Sequence, residues 1–559
     1  MIAPSQHHAV YIHFCSRSHP HLVVGCPRTK SLRCPRLTIM ASTRYSLIFP
    51  FITIFILRYA ASAPDGFTRD ECLIIVQEAL NDGNITSNSS IFFRDITGLP
   101  MSSIERPVLT IGGCEQVCGK GFSWYKDIGP RLNTWLIPIF LLLTNLEVSP
   151  LDKRRYLMIA HLLGDPIDSL WSLLTKIEAW SRCRSMAGRL SRHDEQHTRN
   201  LATVLGGLEE LCGFYLDPYV VYRNIIAGSN LTVLEINRHL GRAAQKLADS
   251  RTDERLRTIL ATVLYFYQLV SSFISTVGGG NTSPPGGRIG ITMFMTWIIP
   301  SILISNAVGC FTSRRTCFDI LEDFTRRVRS DTNLWTELQF EVPDLQRHKT
   351  VESFFCSSSH SGAIYTYRPS KWLPFTGHKS DRSPYLLLLL AMTPVLISSI
   401  VASVIIWHVP PIGINCRNLL IFTIVVFILL STIITQALTR LGFSGTLHWN
   451  CMIAKDICLA VPSVVLVFLA TSGRFNSCYC WSGVYTLGSK ARIPLNTFQD
   501  FELFDKTTYP ILVSICLSLL IAAFAAMMWV GWRGWNIMRW SERERQEEWS
   551  RGRLAIAHD

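Results

Sequence analysis

The sequence is poor in charge. Asp, Glu, Lys and Arg make up only 17% of its 559 residues while 48% are hydrophobic, a balance that excludes an ordinary soluble enzyme of this length. Short signatures of common chemistries are also missing. There is no HExxH, no phosphate-binding P-loop and no glycine-rich dinucleotide turn, no zinc spacing of the usual paired kind, and no internal repeat or long low-complexity tract. The sequence therefore assigns no catalytic, cofactor-binding or metal-binding residue, and the chain reads as a non-enzyme.

What is there is clustered hydrophobicity. A bilayer core about 30 Å thick needs roughly 20 apolar residues per helix at 1.5 Å rise. Runs of that kind occur at Thr258–Val277, Ile289–Phe311, Tyr385–Trp407, Leu419–Leu438 and Tyr509–Trp532. Ile457–Ser472 is shorter and follows Lys455 and Asp456, which would reach an interface if the helix starts there. Leu132–Val148 is the weakest run, interrupted by Pro138, although proline is tolerated inside membrane helices. The fold class is thus an all-α polytopic membrane protein with about seven transmembrane helices.

Met40 opens the three-part layout of a secretory signal peptide: Arg44 in a polar lead, an apolar core at Leu47–Leu57, and Ala61-Ser62-Ala63 as the cleavage site. Residues 40–63 are read as that signal, and residues 1–39, rich in His, Arg and Pro, as an upstream extension. Residue 64 would then start outside and, with seven spans, the 533–559 tail would end in the cytoplasm. The inner segments carry about three times as many Lys and Arg as the outer ones, as the positive-inside rule expects. The local markers are Lys153-Arg154-Arg155, Arg314-Arg315, and Arg533 with Arg539. Dropping the first run would turn every later helix over and place Arg314, Arg315, Arg326, Arg327 and Arg329 outside.

This orientation places Cys72, Cys114, Cys118, Cys416, Cys478 and Cys480 on the oxidising side, an even set of disulfide candidates; about 15 connectivities remain open. Metal or redox readings of Cys114/Cys118 and Cys478-Tyr479-Cys480 are weaker there. Cys183, Cys212, Cys317 and Cys356 would be reduced thiols. Asn84 and Asn88 sit in glycosylation sequons on the outer 64–131 region. Asn281 lies outside in a loop too short for modification, and Asn230 inside.

The 149–257 segment reads as a cytoplasmic helical block lying against the membrane. Asp165-Pro166 and Asp217-Pro218 are helix starts, with Asp168 in a first turn where negative charge suits the dipole. Ile167, Leu170, Trp171, Leu174, Ile177 and Trp180 repeat at three and four residues to give one apolar face. Leu201, Leu205, Leu208 and Cys212 do likewise, and Val233–Leu247 is a further amphipathic helix. The 312–384 segment opens with another, carrying Phe318, Leu321 and Phe324, and 473–508 is an outer loop.

His161, Asp165 and Asp168 have the types and offsets of a metal site, but capping accounts for both aspartates and the structural reading is preferred. Gly442-Phe443-Ser444-Gly445 with His448 is similar to the serine motif of rhomboid proteases, yet both side chains fall in one short inter-helix turn. Within the spans the polar residues are mainly Asn145, Gln268, Asn306 and Gln436, which more often bond between helices than carry substrate. Trp529, Trp532, Trp535 and Trp540, interleaved with Arg533 and Arg539, form an interfacial belt. The formal charge of +13 fits contact with anionic lipids at the cytoplasmic face rather than nucleic acid.

The stretch Gly113–Arg184, with CEQVCGKGFSWYKDIGPRLNTWLIP running into SPLDKRRYLMIAHLLGDPIDSLWSLLTKIEAWSRC, resembles a group of uncharacterised multi-pass membrane proteins of filamentous fungi. The resemblance covers about an eighth of the chain and implies a fungal plasma membrane or endomembrane location, with no activity attached. A receptor-like or scaffolding protein is the leading functional reading, a transporter or channel for a small solute the alternative, and an intramembrane enzyme the third. Convergence of Asn145, Gln268, Asn306 and Gln436 on one midplane pocket would favour transport, and their scatter toward lipid or helix seams would count against it. Mass spectrometry of the cellular protein is expected to find an N-terminus after Ala63; a peptide from residues 1–39 would overturn the reading that translation begins at Met40.

Overall fold

The computed structural model describes residues 66–67, 69–86, 89–94, 107–122, 137–144, 146, 155–191, 194–212, 217–251, 255–271, 285–308, 314–341, 383–409, 411–441, 445–495, 509–537 and 540, all within the unit Ile56–Asp559. The predicted signal peptide and upstream extension, Asn88, Asn145, Asn281, Cys356, Ser444 and Arg539 lie outside them. The architecture is predominantly helical.

Five stretches are helical and apolar for long enough to cross a membrane: Ile289–Val308, Tyr385–Trp407, Cys416–Arg440, Asn450–Thr471 and Pro510–Gly534. They belong to helices that follow one another along the chain. Numbered in order, the helices are α1 (Arg69–Asn81), α2 (Ile111–Cys118), α3 (137–144), α4 (Arg155–Gly164), α5 (Pro166–Leu190), α6 (Glu195–Cys212), α7 (Pro218–Ala227), α8 (Val233–Asp249) and α9 (Arg255–Ser271). There follow α10 (Pro285–Phe294), joined by a 3₁₀ turn to α11 (Ile298–Val308), then α12 (Arg314–Val328), α13 (Leu334–Glu341), α14 (Pro384–Trp407), α15 (Cys416–Arg440), α16 (Gly445–Thr471) and α17 (Tyr509–Ile537). Two expected runs fall short among the described residues. The apolar part of α9 is only Thr258–Val270, and of Leu132–Val148 the helical part is 137–144.

At one end of the bundle a small cap is stitched to the later chain. Strand β1 (Gly66–Phe67) pairs in parallel with β3 (Gly121–Phe122), and β2 (Val108–Leu109) pairs antiparallel with β4 (Ile493–Pro494), Leu109 opposite Ile493. Val76, Phe92, Leu109, Trp481 and Ile493 form its core. So small a core needs staples, and the six candidate cysteines supply them as Cys72–Cys118, Cys114–Cys478 and Cys416–Cys480. A Cβ at Gly113 would run into the backbone of Ile91, so glycine is required where α2 crosses that segment. Cys183 and Cys317 are buried and form no disulfide.

The opposite end carries the helical block. Thr232 and Glu235 form a reciprocal capping box that starts α8, and Asp217 caps α7 by accepting from the Tyr219 amide, the helix start that Asp217-Pro218 predicts. Phe318, Leu321 and Phe324 of α12 are buried as α12 packs on α6 and α8. Gly207 permits the close approach: a Cβ there would come 3.1 Å from Leu247. Trp540 belongs here as well. It is buried and donates from Nε1 to Thr203 Oγ1 at 3.0 Å, so it leaves the interfacial belt expected of it, while Trp529 and Trp532 are exposed.

The expectation that the block merely lies against the apolar helices is corrected by α5. Every residue from Pro166 to Ile177 is buried, because α5 packs at once on α6 of the block and on α11, α14, α15 and α17. Its single predicted apolar face is one side of a helix enclosed on all sides, the state in which amphipathicity gives way to general burial. Ile177 lies against Gly534 of α17, where a Cβ would come within 2.8 Å. Arg184 closes the contact by donating to the carbonyls of Asn536 and Ile537 at 3.0 and 2.8 Å.

Two outcomes follow. Non-reducing peptide mapping should recover the three disulfide pairs above, and any other pairing of these six cysteines contradicts the cap. Second, Asp323 bridges α8 and α12 by accepting from Lys246 and Arg327, both at 2.9 Å. Partial burial opposes its charge, but these cations hold the carboxyl below its usual range. The contribution is full above the unfolded carboxylate pKa of about 3.9 and is lost as pH falls below it. Asp323→Asn should cost about 0.2–1 kcal/mol at neutral pH, the pair being partly exposed, with the difference from wild type vanishing in acid.

Candidate functional site

The break between α4 and α5 creates the site. Pro166 cannot donate to the turn before it, so the helix stops at Gly164, and Asp165 adopts φ −144°, ψ 69° as the cap of α5. Its Oδ1 accepts from the Asp168 amide at 3.1 Å. Gly164 lies against α16, where a Cβ would come 2.6 Å from the Asp456 carbonyl oxygen. A residue without a side chain is what lets the break touch that helix.

Around the break the chain assembles charges that the sequence keeps far apart. Lys455 and Asp456 sit well inside α16, ten and eleven residues past Gly445, on the order of 16 Å along the axis. They are almost wholly buried, their side chains 6% and 0% exposed. The expectation that they flank the start of a span is therefore corrected: the helix begins a dozen residues earlier. Lys455 Nζ lies 2.8 Å from Asp165 Oδ2 and 2.8 Å from Asp456 Oδ1. It also reaches Ser431 Oγ and Thr435 Oγ1, each at 2.7 Å, and the Ser431 carbonyl at 3.3 Å. An ammonium has three N–H donors, so these five oxygens form a cage that one cation fills.

The other side of the cluster is built on His161 of α4, fully buried. Its Nδ1 is 2.7 Å from Asp456 Oδ2 and its Nε2 is 3.5 Å from Asp168 Oδ2, so the imidazole bridges two carboxylates. Asp165 accepts further from Thr432 at 2.9 Å and Thr435 at 2.6 Å, and Gln436 donates to Asp168 at 3.5 Å. Ser431, Thr432, Thr435 and Gln436 lie on one face of α15, four residues being a single turn. Capping explains part of what the two aspartates do, and their pairing with Lys455 and His161 supplies the rest.

The charge balance decides what the cluster can do. Three carboxylates face one ammonium and one imidazole, so with both bases protonated the net charge is still −1 by this count. Removing an ion from water costs several kcal/mol even after relaxation, and only close pairing offsets it. The arrangement holds Lys455 between Asp165 and Asp456 on one side and His161 between Asp456 and Asp168 on the other.

The remaining candidate residues are dispersed. Of the four span amides, Gln436 alone joins the cluster among the described residues. Asn306 donates to the Ile302 carbonyl of its own helix, and Gln268 lies on α9, whose Leu269 belongs to a separate apolar cluster. Asn84 is exposed, and His448 falls within α16 rather than in a turn. A cavity of about 550 Å³ is an open groove along one face of α17, lined by Pro510, Ile511, Ser514, Ile515, Ser518 and Leu519, remote in sequence from the cluster residues. Two signals in the sequence could have found the site: an adjacent Lys–Asp pair inside an apolar helix, and hydroxyl and amide side chains one turn apart on the preceding one.

The chain matches no described protein family, no curated protein and no solved structure.

Lys455→Met should lower stability in detergent by about 3–5 kcal/mol, since it leaves buried carboxylates without their cation. Lys455→Met/Asp165→Asn should recover a large part of that loss. Additive single and double losses in thermal unfolding would show that the two side chains are not coupled.

Proposed function

We propose that this chain is a multi-pass membrane transporter in which a proton exchanged at the His161–Asp168–Asp456–Lys455–Asp165 cluster is coupled to movement of a small solute. The observation that carries the reading is an ionisable cluster buried at a helix break among apolar helices. Ionisable groups are costly at such depth and mark ion or proton pathways, and interrupted helices that expose an N-terminus inside a bundle are a recurring way to build them. Protonation of Asp165 or Asp456 would remove a counter-charge from Lys455 and loosen the hold of α15 and α16 on the start of α5.

The reading includes seven spans, with α3 and α9 as parts of the two short ones. The disulfide cap would face the oxidising exterior, with Asn84 glycosylated, and the helical block the cytoplasm. Helix direction supports this topology: α14 and α16 end beside the cap, whereas α11, α15 and α17 end toward the block. Lys153-Arg154-Arg155 and Arg314-Arg315 would then lie near anionic cytoplasmic lipid, in the plasma membrane or an endomembrane of a fungal cell. A receptor-like or scaffolding role is the second reading, favoured by the extent of the block and its direct packing on the central helix α5.

Reconstitution into liposomes loaded with the pH dye pyranine tests the choice. Amino acids, sugars and inorganic cations are added outside, one class at a time. At least one class should drive a change of internal pH that Asp456→Asn abolishes while the variant elutes from size exclusion like wild type. If no class moves protons, transport fails and the receptor or scaffold reading takes its place.

A further inference from the structure

The central helix α5 carries a second feature. Asp168, Ser169, Ser172, Thr175 and Lys176 recur at spacings of three and four, which places them on one face. All five are buried, between 0% and 8% exposed. Polar side chains have no reason to be aligned inside an apolar bundle, where each must find a partner. The hydroxyls find theirs along the helix: Ser169 donates to the Asp165 carbonyl at 2.9 Å, Ser172 to the Asp168 carbonyl at 2.9 Å and Thr175 to the Trp171 carbonyl at 2.7 Å. Each hydroxyl oxygen keeps lone pairs that can accept.

Both ends of this face are charged. At the top, Asp168 meets His161 and Gln436. At the bottom, roughly 12 Å away along the axis, Lys176 pairs with Glu210 of α6 at 3.1 Å, both side chains being buried, and lies 5.2 Å from the Trp180 ring. Glu209 beside it pairs with Arg182 at 3.0 Å, whose side chain is 12% exposed at the edge of the block. A continuous polar face thus joins the ionic cluster to the block.

We infer that this face of α5 is the route by which protons pass between the Lys176–Glu210 pair and the buried cluster. The inference rests on the transport reading above and specifies its proton pathway. The proton enters the route at Glu210, which is buried and parts from Lys176 to accept it. The Thr175 and Ser172 hydroxyls each accept a proton and release their own, so that only O–H bonds are exchanged, and the carboxylate of Asp168 receives it beside His161. Neighbouring groups on the face are about 5–6 Å apart, as residues one turn apart are, a gap that one water molecule bridges with its usual two to four partners.

The test uses the full chain in pyranine-loaded liposomes under a potassium diffusion potential set with valinomycin, together with the effective solute. Glu210→Gln, Ser172→Ala and Thr175→Val should each slow proton movement tenfold or more and reduce its solvent isotope effect, whereas Ser518→Ala on the groove of α17 should not. Where Glu210→Gln does not elute as a folded protein, the two hydroxyl variants decide. Wild-type movement with all route variants within twofold of it overturns the route and leaves transport standing. Absence of movement in wild type overturns both.

Discussion

The structure turns on the fate of one cation. Lys455 lies eleven residues along a helix otherwise suited to an apolar environment, where its charge cannot reach water by extending its own stem. Its counter-charges must come from inside. One is its neighbour Asp456, and the other is Asp165, supplied by a segment nearly three hundred residues earlier in the chain. Bringing Asp165 there forces the rest: a helix that stops at Gly164, a proline that restarts it, a glycine small enough to touch the α16 backbone, and a row of hydroxyls on α15. A buried ion pair adds little net stability by itself, but a half-made one is strongly unfavourable. The pair therefore acts as a condition on the arrangement of α4, α5, α15 and α16.

The same constraint explains why α5 holds the centre. A helix whose N-terminus must sit beside Lys455 and whose C-terminal part must carry Arg184 to the end of α17 has to run between the apolar helices and the block. Its residues from Pro166 to Ile177 are all buried as a consequence. The block is thereby joined mechanically to the ionic cluster, since Lys176 and Arg182 tie α5 to α6 below while Asp165 and Asp168 tie it to α15, α16 and α4 above.

Much of this organisation is legible in the sequence, and what is hidden follows from distance. Apolar runs of bilayer length and Asp-Pro helix starts are local signals, readable at Tyr385–Trp407 or Asp217-Pro218. The six cap cysteines are readable as a set, because a compartment selects them, but their pairing depends on which loops meet. The cluster is harder to read, because each of its members also has a sufficient local explanation. Asp165 and Asp168 satisfy a helix start, Lys455 and Asp456 resemble a flank of a short hydrophobic run, and Gln436 looks like one amide among several. Only the crossing of three helices shows that these explanations are incomplete. Trp540 was misplaced for a related reason: a tryptophan just past an apolar helix suits an interface, and nothing nearby announces that Thr203 waits for its indole.

The cap has a consequence for how the molecule is made. Cys114 bonds Cys478, 364 residues later, and β2 finds its partner only at Ile493–Pro494. At roughly 5–20 residues per second of synthesis, Cys114 waits about 18–73 s with Cys72 and Cys118 close by as alternative partners. The first part of the cap to be synthesised is thus among the last to be completed, because its closure needs Cys478 to be brought back beside Cys114. A thiol isomerase that reopens early mispairings would act on this protein as a checkpoint of assembly, set by the order in which the chain is delivered.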